Sequence, residues 1–130
     1  MSNTVDILVV DDEDQLRGSI VEALQEQGYN VAQAADGRDG LALAFAEHPK
    51  LIFLDYNMPV MDGQEFLVRL RSDEWGKEVE VVYSTNSYET DVINEALSLG
   101  VHDYMLKSDV SLEQITQLAQ KYVPIPPKTA

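Results

Sequence analysis

The chain has 130 residues and a formal net charge of −14, from 23 acidic and 9 basic side chains. An apolar share of 45% is ordinary for a globular domain, so the acidity does not signal disorder, and one domain of this length can bury a sizeable core. The scattered lysines and arginines form no patch for direct nucleic-acid binding, whereas a basic partner or a bound cation suits the charge. There is no cysteine, which excludes disulfides and thiolate metal sites. No run approaches the roughly 20 apolar residues that span a bilayer, and because the N-terminus leads straight into a strand no signal peptide is expected. A soluble cytoplasmic protein that does not engage a membrane is therefore expected.

In chain order, Val5-Asp6-Ile7-Leu8-Val9-Val10 reads as a buried strand that runs straight into Asp11-Asp12-Glu13-Asp14. Asp14 is expected to cap a helix whose apolar face carries Leu16, Ile20, Ala23 and Leu24, with Gly28 as the residue that ends it. Residues 30–34 form a short strand near an edge of the sheet. Asp36-Gly37 turns the chain, and residues 41–46 form an apolar helix that stops before Pro49.

Leu51-Ile52-Phe53-Leu54 then runs without polar interruption into Asp55, and Pro59 and Asp62-Gly63 force a loop behind it. Asp55 thus stands at the carboxyl end of a central strand, where open α/β sheets place their ligands. Phe66, Leu67 and Leu70 mark a third helix running to about Arg71, and the polar loop 72–78 holds the single tryptophan, Trp75, expected to pack over the sheet edge. A fourth strand at 79–84 has Thr85 and Asn86 at its carboxyl end. Val92, Ile93, Ala96, Leu97 and Leu99 give a fourth helix stopped by Gly100, and a fifth strand at 102–106 ends at Lys107. Ser111 to Gln114 is a capping box that opens a last helix, with Leu112, Ile115, Ala119 and Tyr122 on its apolar face. Residues 1–123 form the expected domain, and the proline-containing stretch 124–130 a tail or the start of a linker.

Strands alternating with helices on this scale mean an α/β fold, a doubly wound five-stranded parallel sheet with five helices. In the flavodoxin-like order 2-1-3-4-5, strands one and three are neighbours and bring Asp11, Asp12 and Asp55 together. Three carboxylates in one cleft repel each other unless a cation intervenes, and oxygen-only ligands without His or Cys suit Mg2+. In-line phosphoryl transfer needs an oxygen nucleophile, which Asp55 supplies; Thr85 offers a hydroxyl and Lys107 a compact cation at neighbouring strand ends. An isolated Asp-Asp pair is usually a solvated turn. The coincidence at matching topological positions carries the argument.

Val9-Val10-Asp11-Asp12, Leu54-Asp55-Tyr56-Asn57-Met58-Pro59-Val60-Met61-Asp62-Gly63, Thr85 and Tyr104-Met105-Leu106-Lys107 resemble the response-regulator receiver domain of two-component phosphorelay signalling, of the single-domain chemotaxis-regulator type, from about Val5 to Tyr122. The resemblance implies that Asp55 is the phospho-acceptor and that Asp11, Asp12, Asp55 and the carbonyl of Asn57 hold Mg2+. It implies that Thr85 and Lys107 bind the phosphoryl group and that Tyr104 swings inward on activation. The donor would be a phosphohistidine on a sensor histidine kinase or a histidine phosphotransfer protein. A downstream protein would meet the face of helix four, strand five and helix five, with Tyr88, Asn94 and Tyr104 as candidate contacts. Such a module is not an enzyme beyond self-phosphorylation from small donors and autodephosphorylation. Two departures from the family pattern stand out: Ser108, not proline, follows Lys107, and the larger Asn86 follows Thr85. A trans peptide is expected at 107–108, because a cis bond before a non-proline residue costs about 2.5–4 kcal/mol.

Competing readings fit less well. A magnesium-dependent aspartyl-phosphate phosphatase of the haloacid-dehalogenase type would want Asp-x-Asp after its first strand. A calcium loop counted from Asp11 fails at Gln15 and Leu16, and a flavodoxin-type phosphate loop would be rich in Ser, Thr and Gly. A protein-binding pseudo-receiver would lack the aspartates. His48 and His102 read as solvated or hydrogen-bonded side chains, and Met58 and Met61 as packing. After Tyr122 eight residues remain, too few for a further DNA-binding or enzymatic module, so a stand-alone receiver or a piece of a longer protein is expected.

Overall fold

The computed structural model describes residues 5–85, 90–107 and 111–125. Its elements alternate: β1 (Ile7–Val10), α1 (Asp14–Glu26), β2 (Val31–Ala34), α2 (Gly37–Glu47), β3 (Leu51–Asp55), α3 (Gly63–Arg71), β4 (Glu80–Thr85), α4 (Thr90–Ser98), β5 (Asp103–Leu106) and α5 (Leu112–Tyr122). The strands form one five-stranded parallel sheet, as expected from the alternation, in the flavodoxin-like order β2-β1-β3-β4-β5, a fold-level expectation that spacing alone does not dictate. β1 and β3 are paired from Ile7↔Leu51 to Val10↔Leu54, so the residues that follow them emerge side by side.

Side chains alternate across a strand, and both faces of this sheet are covered. Leu8, Val10, Ile52, Leu54, Val81 and Tyr83 face α2, α3 and α4 through Ala44, Phe66, Leu67, Leu70 and Ala96. Ile7, Val9, Leu51, Phe53, Val82 and Met105 face α1 and α5 through Ile20, Val21, Leu24, Ile115 and Ala119. Strand residues buried on both sides explain why β1 and β3 read as unbroken apolar runs.

Several local expectations need correction. Asp14 does not cap α1: the capping position is Glu13, whose side chain makes no cap bond, and Asp14 is the first helical residue, paired instead with Arg17 at 2.7 Å. Val21, absent from the expected face of α1, is buried, whereas Leu16 is only partly so. Leu112 opens α5 but is exposed, and so is Leu97 on α4. Trp75 packs on the end of α2, not on a sheet edge: its ring stacks on His48 at 4.3 Å and meets Phe45 edge-on. His102 accepts from the Val81 N–H, and Met61 is buried as packing. The capping box of α5 forms as expected, Ser111 accepting from the Gln114 N–H and the Gln114 side chain from the Ser111 N–H. Asn86, Tyr88, Ser108 and the 107–108 peptide lie outside the described residues.

Two features pin the elements nearest the candidate site. Arg71 donates to the carbonyls of Gly76, Val79, Leu99 and Gly100, tying the C-terminal end of α3 to that of α4. At the start of α3, a Cβ on Gly63 would fall 2.7 Å from the Tyr83 hydroxyl and 2.8 Å from the Asp55 carbonyl oxygen. The Gly63 N–H meanwhile donates to the Tyr56 carbonyl, which closes the loop behind Asp55. Gly63→Ala is therefore expected to cost roughly 1–3 kcal/mol through overpacking against backbone that cannot yield. The midpoint of urea unfolding measures it, and an unchanged midpoint would show that both Tyr83 and the Asp55 backbone give way freely.

Candidate acidic phosphoryl-acceptor site

The site forms where β1, β3, β4 and β5 end. Asp11 follows β1, Asp55 is the last residue of β3, Thr85 the last of β4, and Lys107 the first after β5. Parallel register fixes their relation: Asp55 pairs with Ser84, Thr85 with Leu106, and the Lys107 N–H donates to the Thr85 carbonyl at 2.9 Å. Oxygens of Asp11, Asp12 and Asp55 all lie within 4.8 Å of one another. Asp11, Asp55 and Thr85 are buried and Asp12 is exposed. Asp12 lines an open cavity of about 430 Å³ with Tyr56, Asn57, Met58 and Asp62, which puts Asn57 in the loop bordering the acid cluster. Tyr104 points away from this cleft to the β5–α5 surface, where it is half exposed.

Lys107 is the hub. Its side chain is 5% exposed, and its Nζ lies 3.1 Å from Asp55 Oδ2, 3.2 Å from Asp11 Oδ2 and 3.0 Å from Glu13 Oε1. Burial opposes its charge, but the bond to Glu13 and the charges of Asp55 and Asp11 more than offset that and raise its pKa. The carboxyl of Asp55 is pushed up to about 7, first by burial and then by the Asp11 charge, with Lys107 pulling the other way. Asp11 is raised as well, chiefly by burial, although the Glu13 N–H and Lys107 oppose this.

The acidic loop is fixed in place by local hydrogen bonds. Asp11 Oδ1 accepts from the Glu13 N–H at 2.8 Å. Arg17, one turn into α1, donates to the Asp11 carbonyl at 2.8 Å and to Gln33 at 2.9 Å on β2. Arg17 and Glu13 were not singled out from the sequence. Helical spacing would have placed Arg17 over the start of α1, and the run Asp11-Asp12-Glu13-Asp14 signalled a fourth carboxylate near the cluster, but neither pattern names a partner.

Whether the cluster fits a metal can be judged on Asp55. One of its oxygens is bonded to Lys107, while Oδ1 is fully buried and has no hydrogen-bond partner among the described residues. A buried carboxylate oxygen left bare is costly, and a hard cation held between it and two further carboxylates removes that cost. The donor set is all oxygen. It fits magnesium.

Residues 7–120 match the family model of the response regulator receiver domain. The chain is 33% identical to sporulation initiation phosphotransferase F of Bacillus subtilis over 92% of its own length and 94% of that protein's. It is 35% identical to the regulatory protein AtoC of Escherichia coli, of which it spans only 24%. Among solved structures, the chemotaxis protein CheY4 of Vibrio cholerae superposes with a TM-score of 0.84 at 30% identity, covering 92% of this chain and 99% of that one. The receiver domain of the sensor histidine kinase PA1611 of Pseudomonas aeruginosa, described with a magnesium ion coordinated in its active-site cleft, superposes with a TM-score of 0.81 at 25% identity, covering 92% and 98%. The strand order, the acid cluster and the family match agree, and the chain belongs to the response-regulator receiver domain family.

Proposed function

We propose that this receiver takes a phosphoryl group from a phosphohistidine onto Asp55 and passes the signal on through protein contact. The observation that carries the reading is the state of Asp55: buried at the end of β3, held by Lys107 through one oxygen and without a hydrogen-bond partner on the other among the described residues, within a cluster of three carboxylates. Its carboxylate oxygen attacks phosphorus in line; an O–P bond forms, the P–N bond to the donor imidazole breaks, and the imidazole nitrogen keeps the electron pair. Asp11, Asp12, Asp55 and the Asn57 carbonyl would hold magnesium. Bound there, the ion supplies positive charge against the carboxylates and the incoming phosphoryl oxygens. Lys107 turns part of its ammonium toward those oxygens, and the Thr85 hydroxyl serves as a second donor.

The donor is a sensor histidine kinase or a phosphotransfer protein, in the cytoplasm. Tyr104, together with the exposed Asn94 on α4, borders the α4–β5–α5 face offered to a downstream protein. On that face Tyr104, Leu106, Gln114, Leu118 and Lys121 line a cavity of about 490 Å³. Incubation with acetyl phosphate and magnesium, followed by intact mass, tests the reading. A retained phosphoryl adduct is expected. Release of free phosphate with no adduct would make the chain a phosphatase, and no reaction at all would make it a binding module.

The metal arm has its own check. Millimolar magnesium is expected to raise the melting temperature by several degrees, since a ligand of the folded state alone stabilises it by mass action. Asp12→Ala removes an exposed ligand without touching the core, so it should fold normally and lose most of that rise. An equal rise in the variant would place the ion elsewhere.

A further inference from the structure

We propose that Glu13 is a positioning residue, holding the Lys107 ammonium at the rim of the cleft when a divalent cation draws on Asp11 and Asp55. The inference rests on the magnesium-dependent reading above and assigns a role to a residue outside the metal cluster. An ammonium has three protons, and here they meet three carboxylates: Asp11, Glu13 and Asp55. Two of these three belong to the group able to hold a metal; Glu13 does not. The shortest contact, 3.0 Å, is to Glu13. The Glu13 side chain is 55% exposed whereas those of Asp11 and Asp55 are 5% and 1% exposed, so its carboxylate sits on the solvent side of the ammonium.

A cation at Asp11, Asp12 and Asp55 draws charge from two of the three carboxylates that hold Lys107, competing with it for the oxygens of Asp11, and repels the ammonium directly. Without Glu13, the ammonium would have to leave a site in which it is almost fully buried, or stay and oppose the ion. With Glu13, it keeps one charge-assisted hydrogen bond and a fixed address beside the acceptor. Glu13 is placed for this by local geometry: its N–H bonds to Asp11 Oδ1, and it stands at the capping position of α1 with its side chain making no cap bond. Its carboxylate is therefore left for Lys107.

The test is a calorimetric magnesium titration at physiological salt on four proteins: wild type, Glu13→Gln, Lys107→Met and the double variant. Glu13→Gln is expected to weaken magnesium binding about fivefold, the size of one partly exposed charge-assisted contact. Lys107→Met removes the competing cation and should tighten binding. In that background Glu13→Gln should change the affinity by less than about twofold, a non-additivity that marks action through the lysine. An equal loss in both backgrounds would show that Glu13 acts only by its negative charge, and would overturn the proposal while leaving magnesium binding intact. A wild type that binds no magnesium and takes no phosphoryl adduct would overturn both readings together. A second readout is independent of affinity. In lysine-labelled protein, the Lys107 ε-methylene signals should remain dispersed in magnesium-loaded wild type and collapse toward free-lysine values in magnesium-loaded Glu13→Gln. Dispersion retained in the variant would also overturn the role of Glu13.

Discussion

Asp55→Asn is expected to abolish the acyl-phosphate while leaving the fold in place. The amide matches the carboxylate in shape but carries no anionic oxygen to attack phosphorus, so the loss is complete and not graded. The core does not object to the change. Asp55 is buried, its charge is opposed by burial and by Asp11, and one of its oxygens has no partner among the described residues. Lys107 keeps Asp11 and Glu13 in the variant, so no buried cation is stranded. The variant should unfold at least as late as the wild type in urea. Acetyl phosphate, magnesium and intact mass give the measurement. An adduct that persists in Asp55→Asn, for instance on the exposed Asp12, would remove Asp55 from its proposed role.

The parts of this molecule that were legible in the sequence are those where one residue type at one position has few alternatives. The unbroken apolar runs before Asp11 and Asp55 encode strands buried on both faces, and the parallel pairing of β1 with β3 then brings the acids together. Ser111 and Gln114 encode a helix start in four residues, and it forms as written. Less legible were interactions between segments distant in sequence. Nothing in Glu13 announces that Lys107, on another strand end, will choose it over solvent. Arg71 looks like a solvated residue at the end of α3 until α4 and the 72–79 segment fold over it and present four carbonyls. Trp75 and His48 stack because the end of α2 and the loop after α3 converge at one end of the sheet, a meeting that no local pattern reports. Exposed apolar positions such as Leu97 and Leu112 were misplaced for the opposite reason: helical periodicity sees their chemistry, but which face is covered depends on what packs there.

The second large effect is on stability, and its sign follows from the raised pKa of Asp55. An ordinary aspartate ionises near 4, and in the folded metal-free protein Asp55 does so at about 7. Between those values the folded state retains a proton that the unfolded chain has released. Stability therefore falls as pH rises through this window, by about 1.4 kcal/mol per pH unit at its steepest and on the order of 4 kcal/mol in total. Asp11, raised in the same direction by burial, adds to the slope. Lys107 does not, because a lysine with a raised pKa contributes stability that is complete below its ordinary value and lost only in strong alkali. Asp103 acts in the opposite sense and only in acid: burial pushes it up, but the Tyr122 hydroxyl and Lys121 hold it below the usual range. Metal-free protein should accordingly resist urea better at pH 5 than at pH 7.5, and Asp55→Asn should flatten most of that difference. Magnesium should take the place of acid at higher pH, since it neutralises the same oxygens and competes with protons for them. Its stabilisation is expected to be large at pH 7.5 and nearly absent at pH 5. A wild type and an Asp55→Asn variant with parallel pH profiles would locate the titration elsewhere, in the general repulsion of an acidic surface and not in the acceptor.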